Sequence, residues 1–415
     1  MKSLFNSDFF MSNRQRLREV VGADMPIIVT ANGLLQRNSD NAYPFAQDSN
    51  FWYLTGVNEP DILLVMLPGE EFLIVPGRTA SREAFDGTLD IEELGRISGV
   101  TTVCFEEEGW QRFQSVASTY KAVATPAALP QYVEQFGLYT NPSRVRLESA
   151  LEQHVPDLEL QDIRKELANL RMVKQEPELA ALRQAIHVTE DSLTLLTVKS
   201  TFQAFHSEYE FEADLTREFR MRGASGHAFA PIVAGGKRAC TLHNVSNEAT
   251  FELGTLVVID VGAEVEQYAA DITRTRVYGQ PSKRQHQIFD AVIEVQDYAL
   301  TLLKPGVLLK PYEQAVETYM GKTLQKLGLI KLTGDAEKDH ELIRKFYPHA
   351  TSHFLGLDVH DVGDYERPLE PGMVLTCEPG IYIPDEGIGV RIEDDILITE
   401  SGNTVLSAAL PKALM

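Results

Sequence analysis

Asp260 closes the apolar run LVVI in TLVVIDVGAE, and Asp271 follows 11 positions later in YAADITRT. An apolar strand gains nothing from an aspartate unless the carboxylate is paired or bound to a metal, because an isolated buried charge is costly. A hairpin between the two segments would bring both carboxylates to the same end of neighbouring strands. Either acid alone would read as a strand-end cap or a surface residue. Three further donors follow: His353 in TSHFLGLDVHDVG, Glu378 in VLTCEPGIYI and Glu393 in GVRIEDDILI. Each lies at the hydrophilic end of a strand-like or turn-like segment. Alternation along GVRIEDDILI puts Arg391, Glu393 and Asp395 on one face.

His349, His353 and His360 fall within 12 positions, separated by small residues and glycines. A lone histidine is usually structural, whereas three so close together point to metal binding or acid–base work. The residues between and after His349 and His353 do not read as a long helix, so a helical HxxxH zinc motif is not expected. Four carboxylates balance the charge of two divalent ions. Oxygen-rich donors with one imidazole suit Mn²⁺, Fe²⁺, Co²⁺ or Zn²⁺ and carry too much nitrogen for Ca²⁺. Two such ions ~3.5–4 Å apart can hold a bridging hydroxide, lower its pKa and polarise a carbonyl. The chemistry expected is hydrolysis without a covalent intermediate. No GxSxG elbow or catalytic-cysteine motif competes with it.

The elements around these residues divide the chain. Residues 1–168 alternate short apolar runs with helical patterns, which suggests an α/β domain. MPIIVTA (25–31), FWYLTG (51–56), ILLVMLPG (62–69) and EFLIVPG (71–77) read as strands bounded by Gly or Pro. Segments 80–95, 108–120 and 143–153 read as helices. This half contains no cluster of His, Asp or Glu with ligand logic. Residues 160–200 carry apolar residues at three- and four-residue steps, hence helix, with a break at Lys174–Pro177. The domain boundary is expected near 165–175. Residues 169–415 then show helices at 208–223, 283–304 and 311–328. Strands are expected around 229–278, 373–377, 380–383 and 388–398. Helices and antiparallel strands in separate runs are the α+β pattern.

Bulk properties exclude several classes. The 415 residues are 44% hydrophobic and 24% charged, as in a soluble globular protein, and suit two domains. A net charge of −22 leaves no basic surplus for nucleic acid. No stretch approaches the ~18 apolar residues of a membrane span. The N-terminus shows no signal-peptide pattern. Three distant cysteines, Cys104, Cys240 and Cys377, make neither a disulfide framework nor a thiolate zinc site. A reduced, cytoplasmic compartment is expected.

These motifs resemble the creatinase/aminopeptidase superfamily, the pita-bread metallopeptidases. The family's ordered ligand set of Asp, Asp, His, Glu, Glu falls on Asp260, Asp271, His353, Glu378 and Glu393. The likeness covers about residues 170–405 and extends to the N-terminal half. Within the superfamily, SHFLGLDVHDVG, DITRT and RNSDNAYPFAQDSNFWYLTGVNEPD (37–61) are similar to the bacterial aminopeptidase P group. The resemblance implies an α+β pita-bread catalytic domain at 169–415 behind an α/β domain of the creatinase N-terminal type at 1–168. It implies two divalent ions, foremost Mn²⁺, and hydrolysis of the N-terminal Xaa-Pro bond by a metal-bridging hydroxide. Asp260 would be a terminal ligand on one metal, Asp271 and Glu393 would bridge, and His353 and Glu378 would hold the second.

By the same resemblance Glu378 would also shuttle a proton. His243 in CTLHNVSNE, His360 and the nearby His349 would flank the scissile peptide, and Arg391 would stand beside the acids. By its residue type alone, His243 is a loop histidine with no assigned role. The implied partners are peptides with proline in second place and further copies of the chain, as a homodimer or homotetramer. A Xaa-Pro dipeptidase is the neighbouring alternative. An inactive peptidase-like binding protein and a metal-free creatine hydrolase are weaker ones, because all five ligands are present. The chain departs from the family in two places. It reads AFDG (84–87) where aminopeptidase P has Trp-Phe-Gly, placing Phe85 at a position that approaches a neighbouring subunit's site. The loop between Glu378 and Glu393 is also short.

Overall fold

A computed structural model of the chain describes residues 3–128 and 137–414. It divides into two compact units, Phe5–Arg171 and Met172–Met415, the latter joined by Met1–Leu4. Among the described residues no helix is long and apolar enough to cross a membrane.

The first unit is built on a six-stranded sheet. Its strands are β1 (Ile27–Thr30), β2 (Leu63–Leu67), β3 (Glu70–Val75), β4 (Thr102–Phe105), β5 (Ala122–Thr125) and β6 (Glu159–Asp162), ordered β4-β3-β2-β1-β5-β6. β2 runs antiparallel to β1 and β3, and the remaining pairs are parallel. Ile28, Val65, Phe72 and Ile74 pack against Trp110 and Phe113 of helix Glu106–Ala117 and Leu147 and Leu151 of helix Ser143–His154.

Two expectations in this unit fail for local reasons. FWYLTG is not a strand but the end of helix Ser49–Thr55. The Asp48 carboxylate caps it by accepting from the amides of Asn50 and Phe51, and Gly56 ends it in the left-handed region at φ 67°. A short apolar run buried on every side carries no period, so helix and strand look alike. The single helix expected over 80–95 is two, Ala80–Asp86 and Ile91–Ser98, interrupted at Gly87 and restarted by an Asp90 cap.

The second unit carries helices α1 (Glu176–Leu196), α2 (Glu208–Met221), α3 (Lys283–Leu302), α4 (Leu309–Lys326) and α5 (Ala336–Arg344). α5 falls in a stretch that the apolar pattern left unassigned. The break at Lys174–Pro177 is the start of α1, where Pro177 sits in the first turn and Glu178 accepts from the Gln175 amide at 2.8 Å. The first strands are β7 (Gly226–His227), β8 (Ile232–Gly235), β9 (Thr255–Val261), β10 (Ala263–Val265), β11 (Tyr268–Ala269) and β12 (Ile272–Tyr278). β8, β9 and β12 form one antiparallel sheet, and β11, β10 and β7 a second. Val257, Ile259 and Val261 of β9 pack with Ala185, Ile186, Phe211 and Leu215 of α1 and α2. Alternation therefore turns Leu256, Val258 and Asp260 to the opposite face.

The later strands are β13 (Val374–Cys377), β14 (Gly380–Ile383), β15 (Ile388–Arg391), β16 (Asp394–Thr399) and β17 (Gly402–Val405). β13, β16 and β17 form an antiparallel sheet, and β14 and β15 a hairpin. Leu375, Ile381, Val390 and Ile396 pack with Ile288, Val292, Val316 and Met320 of α3 and α4. The short loop expected between Glu378 and Glu393 is thus a paired hairpin. The single strand expected over 388–398 breaks at Ile392–Glu393, the point where Glu393 leaves the ladder.

Candidate active site

β9 and β12 pair antiparallel with Asp260 opposite Thr273, so Asp271, two residues earlier, lies at the same sheet end as Asp260. Gly262 permits this turn: a Cβ there would lie 1.7 Å from the Ala270 carbonyl oxygen. Glu378 follows β13 directly, and Glu393 fills the gap between β15 and β16. His353 sits in a segment of neither helix nor strand, joined to β13 through the Thr376 amide, which donates to the His353 carbonyl at 2.9 Å. In α3, the buried Gln296 side-chain amide donates to the carbonyls of Cys377 (3.0 Å) and Ile392 (3.3 Å). One side chain thereby holds the backbone immediately before both glutamates.

All nine site residues expected from the sequence line one cavity of about 470 Å³: His243, Asp260, Asp271, His349, His353, His360, Glu378, Arg391 and Glu393. Donor atoms of Asp271, His353 and Glu393 lie within 4.8 Å of one another. His353 Nδ1 donates to the Phe354 carbonyl at 2.9 Å, leaving the Nε2 lone pair facing Asp271 at 3.4 Å and Glu378 at 3.5 Å. A backbone bond that sets the imidazole tautomer is the usual arrangement of a metal-binding histidine. Glu393 Oε2 accepts from the Thr273 hydroxyl at 2.6 Å, and the Asp271 amide donates to Asp395 at 3.2 Å.

Arg391 is the guanidinium among these acids. It donates to Asp260, to the Thr273 hydroxyl at 3.1 Å and to the Tyr382 hydroxyl at 2.9 Å. Tyr382 in turn donates to His349 Nε2 at 2.8 Å, and His349 Nδ1 donates to the Ala350 carbonyl at 2.8 Å. Burial and Arg391 push the His349 pKa down to about 3, so this imidazole is neutral. The His360 ring lies 4.3 Å from that of His353, and burial together with His353 brings its pKa down to about 4. His243 stands on an exposed stretch of the rim.

The acids are short of positive charge. Burial, then the charges of Asp260 and Asp395, raise Asp271 well above the usual carboxylate range. Burial and Asp271 do the same to Glu393, and burial pushes Glu378 up to about 7. Asp260 Oδ1 is buried with no hydrogen-bond donor. A buried carboxylate oxygen without a donor costs stability unless a cation takes it. The donor set, four carboxylates and one oriented imidazole, fits divalent transition ions.

The residue reading missed Tyr382, Thr273 and Gln296. Their signals were weak: a tyrosine in an apolar strand, a threonine opposite Asp260, and a glutamine on the apolar face of a helix. It also missed the apolar wall of Phe229, Ile232, Leu242, Val245 and Val359.

Residues 180–400 match the model of metallopeptidase family M24, and residues 10–124 that of the aminopeptidase P N-terminal domain. A Xaa-Pro aminopeptidase of Haemophilus influenzae is 37% identical over 91% of this chain and 89% of its own length. A solved structure of a putative aminopeptidase P from Bacillus anthracis superposes with a TM-score of 0.88 at 31% identity, covering 99% of this chain and 97% of that one. Aminopeptidase P from Escherichia coli, solved with the inhibitor Pro-Leu, gives a TM-score of 0.85 at 32% identity, covering 99% and 96%.

Proposed function

This chain belongs to metallopeptidase family M24, with a pita-bread catalytic domain, and from that premise we propose that it removes the N-terminal residue from peptides with proline in second place. The observation that carries the reading is the single cavity in which four carboxylates and one oriented imidazole meet an apolar wall. Asp260, Asp271, His353, Glu378 and Glu393 would hold two divalent ions, Mn²⁺ before Co²⁺, Zn²⁺ or Fe²⁺, with Asp271 and Glu393 shared between them. When bound, such ions polarise the scissile carbonyl and activate the attacking water.

The chain's own residues do the rest. Glu378, 3.5 Å from His353 and 3.6 Å from His349, takes the water's proton and returns it to the leaving prolyl nitrogen. His243 and His360 flank the scissile peptide and donate to its carbonyl. His349, kept neutral and aimed by Tyr382, faces the peptide from the opposite wall with Arg391 behind it. The apolar residues Phe229, Leu242, Val245 and Val359 suit a prolyl ring, which brings no N–H to satisfy.

The reading includes a reducing, cytoplasmic compartment, supported by three free and widely separated thiols. It includes a homodimer or homotetramer, supported by Phe85, which is 86% exposed on helix Ala80–Asp86. Light scattering on the purified chain checks the oligomer.

The test is an assay of Xaa-Pro-Yaa tripeptides and Xaa-Pro dipeptides with Mn²⁺. Release of the first residue from the longer peptides supports the aminopeptidase reading. Cleavage of dipeptides alone supports the dipeptidase instead, and cleavage of neither overturns both.

A further inference from the structure

The loop 349–353 carries His349 and His353 yet belongs to no helix or ladder, so its backbone groups need partners from elsewhere. The Glu378 amide donates to the Thr351 carbonyl at 2.8 Å, and the His353 amide donates to the Thr376 hydroxyl at 3.2 Å. Arg344 donates to the His349 carbonyl at 2.9 Å. The Thr351 and Ser352 amides converge on one side chain. Glu313, near the start of α4, accepts from the Thr351 amide at 2.9 Å, the Thr351 hydroxyl at 2.9 Å and the Ser352 amide at 3.0 Å. Its neighbour Tyr312 bonds the Ser352 hydroxyl at 2.9 Å. A second cavity, of about 720 Å³, lies behind the loop and is lined by Glu313, and Ala350 and Ser352 line both cavities. Ser352 thus stands between the two cavities, while the buried Thr351 also bonds the Tyr347 hydroxyl at 2.6 Å.

We infer that Glu313 is a positioning residue of the active site. It touches no substrate and sets the separation of His353 from Glu378 by anchoring Thr351 and Ser352. Both oxygens of the carboxylate are engaged, one by the Thr351 and Ser352 amides and the other by the Thr351 amide and hydroxyl. An amide in its place turns an NH₂ group towards an N–H donor, and an aspartate is one methylene too short to span both amides. Glu313 is largely withdrawn from water, and the three loop donors are what offset that burial. The inference rests on the reading of this cavity as a metallopeptidase centre.

The test compares full-length wild type with Glu313→Gln, Glu313→Asp and Glu313→Ala. Each is stripped of metal and titrated with MnCl₂ by calorimetry, then assayed on a Xaa-Pro-Yaa peptide. Partners behind metal ligands typically carry 10–100-fold in affinity or activity, so a fall of about that size in Mn²⁺ affinity and kcat is expected, with KM within about twofold. Hydrogen exchange should show faster exchange at the Thr351 and Ser352 amides in all three variants, with the β9 and β12 amides unchanged, which separates loop release from unfolding. A folded Glu313→Gln with wild-type Mn²⁺ affinity and kcat overturns the inference. So does a Glu313→Ala that loses thermal stability but keeps both. If wild type binds Mn²⁺ and cleaves no Xaa-Pro peptide, the functional reading fails while the calorimetric and exchange results still decide the role of Glu313.

Discussion

Two buried acids on successive residues, Glu393 and Asp394, belong to clusters that are treated in opposite ways. Asp394 is fully buried and ringed by donors: Arg274 at 2.7 Å, Lys412 at 2.8 Å, Gln296 at 3.0 Å and Ser407 at 2.7 Å. Burial pushes its pKa up, but Arg274 and Lys412 hold it below the usual carboxylate range. One residue earlier, Glu393 faces Asp260, Asp271 and Glu378 with Arg391 as the nearby cation, and its pKa is raised. The first cluster is complete within the chain. The second is complete only with added positive charge. A structural ion pair supplies its own counter-charge, whereas a metal site leaves the deficit for its ligand.

The largest break in this contrast should come from Asp271→Ala or Glu393→Ala. Several kcal/mol of transition-state stabilisation would be lost, so kcat/KM on a Xaa-Pro-Yaa peptide should fall by about 10³-fold or more. The folded state should survive. In metal-free protein, Asp271→Asn should raise the Tm by roughly 2–4 °C, because it removes a repelled charge. Full activity in either alanine variant would contradict the shared-ligand role of these acids.

Asp394→Asn should do the reverse. Removing one partner of a buried pair costs about 3–5 kcal/mol, read by urea unfolding with or without Mn²⁺. A loss that vanished on adding metal would make Asp394 part of the metal site.

The two clusters also predict opposite pH behaviour. Glu378, raised from its ordinary value of 4.5 to about 7, contributes stability that is present below pH ~4.5 and is lost as pH rises to about 7. Asp271 and Glu393, raised likewise, extend that loss upward. Asp394, with a lowered pKa, contributes stability present above its unfolded value and lost only in acid. Saturating Mn²⁺ should therefore raise the Tm more at pH 8 than at pH 5.5. At 1,000-fold over Kd the gain is about 4 kcal/mol. An equal gain at both pH values would contradict the charge deficit.

The smallest effect sharpens the comparison. Tyr382→Phe leaves Arg391 Nη1 and His349 Nε2 without their bond and should cost about 1 kcal/mol. In kcat that is roughly five- to tenfold with KM little changed. No change in kcat would remove Tyr382 from the positioning of His349.

The residues that line the cavity stood out in the sequence because they break local rules: Asp260 interrupts an apolar strand, and three histidines crowd one loop. The α+β character of the second unit followed from runs of a single period. Other features had no local signature. The helix Ser49–Thr55 is buried all round and so lost its period. Glu313 looks like any acid near the start of a helix, and Gln296 like a polar interruption of an apolar face. Their roles arise from contacts 38 and 81 positions away along the chain. No pattern within one element encodes those.

One titration bears most directly on the site. Metal-stripped protein receives Mn²⁺ in steps, and release of the first residue from a Xaa-Pro-Yaa peptide is followed at each step. Activity absent without metal and levelling at two ions per chain is the expected result. Full cleavage in metal-free protein, or none at any loading, would contradict it.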